Sequence, residues 1–74
     1  MNAIEIKKMI QAGLPDAQVE VMGDDGQHFE ARVVSASFVG KSLVQQHQMV
    51  QTTLGDSFTS GALHALALKT SAPR

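Results

Sequence analysis

Seventy-four residues, 43% apolar, with a formal net charge of −1 and no cysteine, set narrow limits. Such a chain can build one domain, near the lower size at which a hydrophobic core stabilises a fold unaided. Disulfides are excluded, any metal must use histidine, carboxylates or another molecule's thiolates, and six scattered basic residues make no obvious phosphate-binding stretch. The start, Met1-Asn2-Ala3-Ile4-Glu5, lacks a basic region ahead of an apolar run, so no signal peptide is read. No stretch approaches the ~20 apolar residues of a membrane span. A soluble cytoplasmic protein is expected, with residues 1–74 forming one domain.

Asn2 and Glu5 have capping-box spacing, and Ile6, Met9 and Ile10 then recur at helical intervals against Lys7, Lys8 and Gln11. Gly13 as a left-handed cap and Pro15 as a breaker end this helix, predicted over residues 3–12. Residues 17–22 alternate apolar with polar, as a half-buried strand does. Gly23-Asp24-Asp25-Gly26 has turn composition, and alternation resumes over residues 28–33 with Phe29, Ala31 and Val33 on one face. Two such runs around a Gly/Asp turn predict an antiparallel hairpin.

Gly40 suits a tight strand-to-helix turn, and Ser42 with Gln45 repeats the capping-box spacing. Leu43, His47, Val50 and Leu54 then share one helical stripe that stops at Gly55. Residues 62–69 are short enough for a strand despite a helix-friendly composition, and periodicity does not decide between them. Architecture does. A hairpin followed by a helix needs a third strand to widen its sheet, and a right-handed crossover returns it parallel to strand two. The predicted order is α-β-β-α-β, an α+β fold with a three-stranded mixed sheet and both helices on one face. Residues 71–74 are expected to form a frayed tail.

Little in the residues suggests catalysis. There is no cysteine nucleophile and no serine with a plausible His/Asp set, while Glu5, Glu20 and Glu30 fall on polar faces. Gly40-Lys41-Ser42 echoes a phosphate loop, but that motif needs a second glycine where Ser35 stands. Met9, Met22 and Met49 read as core or core-edge residues. His47, on the apolar stripe, reads as a structural histidine hydrogen-bonded to nearby backbone. Three scattered histidines lack the spacing of a zinc site. By themselves, His64 is most simply a strand histidine bonded to a carbonyl, and His28 an exposed turn residue.

The run from Val34-Ser35 through Phe38-Val39-Gly40-Lys41-Ser42-Leu43 to His47 and Met49-Val50 resembles the signature of the BolA-like family. His28-Phe29 upstream and Leu63-His64-Ala65-Leu66 downstream match further family features, so the resemblance spans nearly the whole chain. The acidic balance and the Gly23–Phe29 turn are most similar to the short bacterial IbaG/YrbA-type branch. The resemblance implies a fold related to the class II KH domain and a non-enzymatic regulatory role, including in stress response. It also implies a monothiol glutaredoxin partner and a shared [2Fe–2S] cluster. Glutaredoxin and glutathione would each supply a thiolate, and the histidine of the last-strand motif, here His64, would supply nitrogen. The second ligand varies in the family, a Cys or His near the first hairpin loop; this chain has no Cys there, and the loop offers only His28, at its far end. Where the family usually carries a basic residue before the helix-two histidine, this chain has Gln46, and it shows no further C-terminal helix.

Both His28 and His64 start their strands, so both should project from one edge of the sheet. Replacing thiolate by imidazole raises a cluster's potential and makes it sensitive to protonation, because the ring must be neutral to bind. The alternative is a DNA-binding regulator, since KH-related folds bind nucleic acid and some family members act at promoters. Lys41, Arg32 and Lys69 would form its small basic face. The G-x-x-G clamp of KH domains is absent, however, and Phe29, Phe38 and Phe58 are the only aromatics for stacking.

Overall fold

A computed structural model describes residues 2–23, 28–55 and 66–73. The elements follow the order helix α1 (Ala3–Gly13), strands β1 (Gln18–Met22) and β2 (Phe29–Val34), a 3-10 turn (Ala36–Phe38), helix α2 (Leu43–Leu54) and strand β3 (Leu66–Ser71). The α-β-β-α-β reading holds. The sheet order is β1-β2-β3, with β1 antiparallel and β3 parallel to the central strand.

Alternation decides which face is covered. Phe29, Ala31 and Val33 are buried while Arg32 between them is exposed, and Val19 and Leu66 continue the buried face on the flanking strands. Ile6 and Ile10 from α1, and Val50 and Leu54 from α2, close over it with no accessible surface. Phe38, delivered by the 3-10 turn, is the largest of the fully buried side chains. The two helices therefore share one core on one side of the sheet, and the other side is open.

Capping follows the sequence closely at α2. The Gln45 amide donates to Ser42 Oγ at 3.2 Å, and the Ser42 amide donates to Gln45 Oε1 at 2.9 Å, a complete capping box. Gly40 before it and Gly55 after it take φ of 77° and 54°, the left-handed region where a Cβ is costly. At α1 the box is half made. Asn2 accepts from the Glu5 amide at 2.9 Å, but the Glu5 carboxylate meets the Asn2 side-chain amide.

Four expectations need correction. Gly13 is not a left-handed cap; it is the last residue of α1, and a Cβ there would stand 2.8 Å from Thr53 Cβ on α2. The glycine is needed for helix approach, which a single chain's local pattern does not reveal. Leu43 lies outside the buried stripe at 60% exposure, because Phe38 fills the core just before α2 begins. Met9 and Met49 pack against the core, whereas Met22 is exposed on the sheet. Ser71 is no frayed residue: it pairs with Val34, its carbonyl accepts from the Ser35 amide, and Ala72 packs on the core. Pairing with a central strand holds the end of β3 down.

The 3-10 turn is tied to the α1–β1 connection by Asp16. Its Oδ2 accepts from Ser35 Oγ at 2.8 Å and from the Ala36 amide at 3.0 Å, while Oδ1 receives Ser37 Oγ at 3.4 Å. The Ser35 hydroxyl, opposed in part by desolvation and helped by the Ala36 amide, holds the Asp16 carboxyl below its ordinary value of 3.8. A carboxyl depressed in the folded state stabilises at pH above its unfolded value and loses that contribution as pH falls through the folded one. Asp16→Asn is therefore expected to lower the urea midpoint at pH 7 and to shrink its difference from wild type below about pH 4. An unchanged difference at pH 2.5 would contradict an ionised tie.

Thr70 Oγ1 is buried on β3 without a hydrogen-bond partner. Thr70→Val keeps the shape and removes the unpaired hydroxyl, so a gain of about 1 kcal/mol in denaturant unfolding is expected. A loss would mean that the hydroxyl finds a partner in solution.

Candidate functional site

His28 is exposed and immediately precedes β2. Beside it, the first residues of the two parallel strands are register partners: Phe29 faces Leu66. His64 lies outside the described residues, two positions before Leu66 in the chain. The two parallel strands therefore start at one end of the sheet, and His28 stands directly ahead of one of them.

Gly23 shapes this end, a role that its turn composition did not announce. A Cβ at Gly23 would stand 2.6 Å from the Phe29 ring and 2.8 Å from the His28 carbonyl oxygen. The bare backbone lets the Phe29 ring and the His28 carbonyl approach Gly23 closely. Gly23→Ala must push the ring or the His28 backbone aside, at a cost of about 1–3 kcal/mol. Amide shift changes centred on residues 22–30 would show this; a spectrum changed only at position 23 would refute it.

His47 sits on α2. It is half-buried, as a structural histidine would be, but its Nε2 is buried with no hydrogen-bond partner. The expected bond from that nitrogen to nearby backbone is not made. Gln46 instead reaches back, donating from Nε2 to the Lys41 carbonyl at 3.0 Å and securing the turn at Gly40.

The proposed basic face divides. Arg32 and Lys69 are register partners on the open face of the sheet, but Lys41 belongs to the turn before α2. Arg32 Nε donates to Glu30 Oε2 at 3.3 Å, and Glu20 is its register partner on β1. Two acids thus share the face with two bases, and the field is mixed. Elementary alternation puts all four side chains on one side; only the strand register shows that they neighbour one another.

Among the described residues, no three His, Cys, Asp or Glu side chains come together as a metal site. A metal beside His28 would need donors from beyond the described residues or from another molecule. A small hollow of about 170 Å³ lies at the opposite end of the sheet, lined by Asp16, Gln18, Val34, Ala36 and Pro73. No helix among the described residues is long and apolar enough to cross a membrane.

Comparison with known proteins agrees with this architecture. Residues 11–74 match the family model described as BolA-like protein. An uncharacterized protein of the rpoN–murA intergenic region of Acinetobacter guillouiae is 35% identical over 69 residues, covering 93% of this chain and 82% of the relative. The chain is also 48% identical over 52 residues, 69% of its length, to SufE-like protein 1 of Arabidopsis thaliana, of which the match covers only 14%. The structure of a bolA protein homologue from Coxiella burnetii superposes with a TM-score of 0.82 at 38% identity, covering 99% of this chain and 92% of that one. On its sequence, its strand order and these relatives together, the chain belongs to the BolA-like protein family.

Proposed function

We propose that this chain is a non-enzymatic regulatory module that pairs with a monothiol glutaredoxin in the cytoplasm and co-ligates a bridging [2Fe–2S] cluster through His64. Family membership supports the partner class. The observation that supports the site is the parallel register of β2 and β3, which starts both strands, at Phe29 and Leu66, at the same end of the sheet. His28 is the candidate second ligand from this chain.

The donor set fits a shared group and suits no resident one. Imidazole ligates iron, this chain has no thiol, and His28 with His64 could fill at most half of a four-ligand set. The remaining ligands would be the thiolates of glutaredoxin and glutathione. Such a cluster would supply one-electron chemistry or iron–sulfur cargo. This chain's part is to present a neutral imidazole at a fixed position and to cover one side of the group from water.

The test is reconstitution. Glutaredoxin, glutathione, iron and sulfide with this chain should give a visible absorption and circular dichroism spectrum distinct from that of glutaredoxin alone, with a heterodimer on gel filtration. An identical spectrum and no heterodimer would overturn the proposal. The DNA-binding alternative has less support, because the open sheet face carries Glu20 and Glu30 beside Arg32 and Lys69. Duplex titration at two salt concentrations distinguishes it, since phosphate-driven binding weakens steeply as salt rises.

A further inference from the structure

The turn before α2 carries a surface that the cluster reading leaves unused. Val39, Leu43 and Val44 are 66%, 60% and 66% exposed, three aliphatic side chains within six residues. Isolated exposed aliphatics are ordinary, but a cluster marks an interaction surface. This one is held in place rather than loose: Gly40 turns the chain, the Lys41 amide donates to the Phe38 carbonyl, Gln46 clasps the Lys41 carbonyl, and Ser42 with Gln45 caps the helix. A pre-formed backbone lowers the cost of docking.

Charge singles out the same surface. No Asp or Glu occurs from Ala31 to Gly55, and the exposed side of α2 continues with Gln45, Gln48, Gln51 and Thr52. A solvated helix face normally carries charges, whereas the centres of protein interfaces are depleted of them. Lys41 stands exposed amid the three aliphatics with no ion-pair partner among the described residues. We infer that Val39, Lys41, Leu43 and Val44 form a docking surface for a second protein, one that presents an apolar helix face with a carboxylate beside it to meet Lys41.

The surface follows β2 in the chain and His28 precedes it, so the strand's length, roughly 17 Å, separates the two ends. Both ends can be occupied at once, which would make the molecule an adaptor between two proteins. One lysine among three aliphatics favours protein over nucleic acid, which asks for several cations. The inference does not depend on His64.

The probe is a synthetic helical peptide with a leucine face flanked by glutamates, titrated into the full chain and followed by amide chemical shifts. Saturable shifts confined to residues 38–48 are expected. Val44→Asp should weaken binding about tenfold while leaving the remaining spectrum folded, and Lys41→Glu should do likewise. A peptide with lysines in place of the glutamates should restore binding to the Lys41→Glu chain, a coupling that general stickiness would not produce. Absence of saturation at about 1 mM peptide, a typical weak-binding limit, would overturn the inference. So would shifts centred on His28, or dilution-dependent shifts without peptide, which would assign the surface to a second copy. The same residues shifting with duplex DNA in a steeply salt-dependent way would also overturn it.

Discussion

Phe38→Ala is expected to destabilise the protein by about 3–5 kcal/mol, enough to leave a large unfolded fraction in a domain of this size. Phe38 is 1% exposed and is the largest of the fully buried side chains, yet it comes from a three-residue 3-10 turn rather than a long element. That turn is fixed from outside by Asp16 through Ser35, Ala36 and Ser37, so it cannot collapse freely into the space an alanine would leave. Sites that cannot relax show the larger cavity costs. Urea unfolding should place the midpoint of Phe38→Ala far below wild type, with Phe38→Leu in between. Val39→Ala, one residue on and 66% exposed, should stay within about 0.5 kcal/mol. A loss below about 1 kcal/mol for Phe38→Ala would mean that the ring is not part of the core in solution.

His64→Ala should reduce the spectrum of the reconstituted mixture to that of glutaredoxin alone, the largest functional effect expected of any single change. A ligand atom cannot be replaced by a methyl group, and this chain has no cysteine to substitute for it. His28→Ala should alter the spectrum in shape or stability if His28 is the second ligand, and leave it unchanged if that position goes to solvent or the partner. His47→Ala is the control. Its ring lies on α2 with an unpartnered buried Nε2, so its loss should change stability and leave the spectrum alone. If His64→Ala retains the wild-type spectrum and heterodimer, the ligand is elsewhere. Because imidazole must be neutral to bind metal, acidification should weaken the wild-type mixture and do little further to the His64→Ala one.

The three histidines of the chain are legible in the sequence to unequal degrees, for a physical reason. His28 stands at the head of β2, where alternation over 28–33 puts it. His47 was placed correctly on α2, but the bond expected of it is missing, because helical periodicity gives an orientation and no acceptor. His64 stands outside the described residues, so its ligand role rests on family resemblance and the proposed reconstitution. Local composition marks Gly23 and Gly13 as turn and cap residues, whereas each is required by a side chain beyond its local pattern, Phe29 in one case and Thr53 in the other.

Periods of two and 3.6, capping-box spacings and glycine placement already determined the elements, their order and the buried face, because these depend on interactions within a few residues. The Ser42–Gln45 cap, the Phe29–Ala31–Val33 face and the parallel return of β3 all follow from such local rules and one topological one. What neighbours what was decided only by the tertiary structure: Arg32 between Glu20 and Lys69, Asp16 on the 3-10 turn, Leu43 outside the core, and Ser71 held against Val34. Register and helix approach come from packing between segments far apart in the chain, which no local pattern encodes.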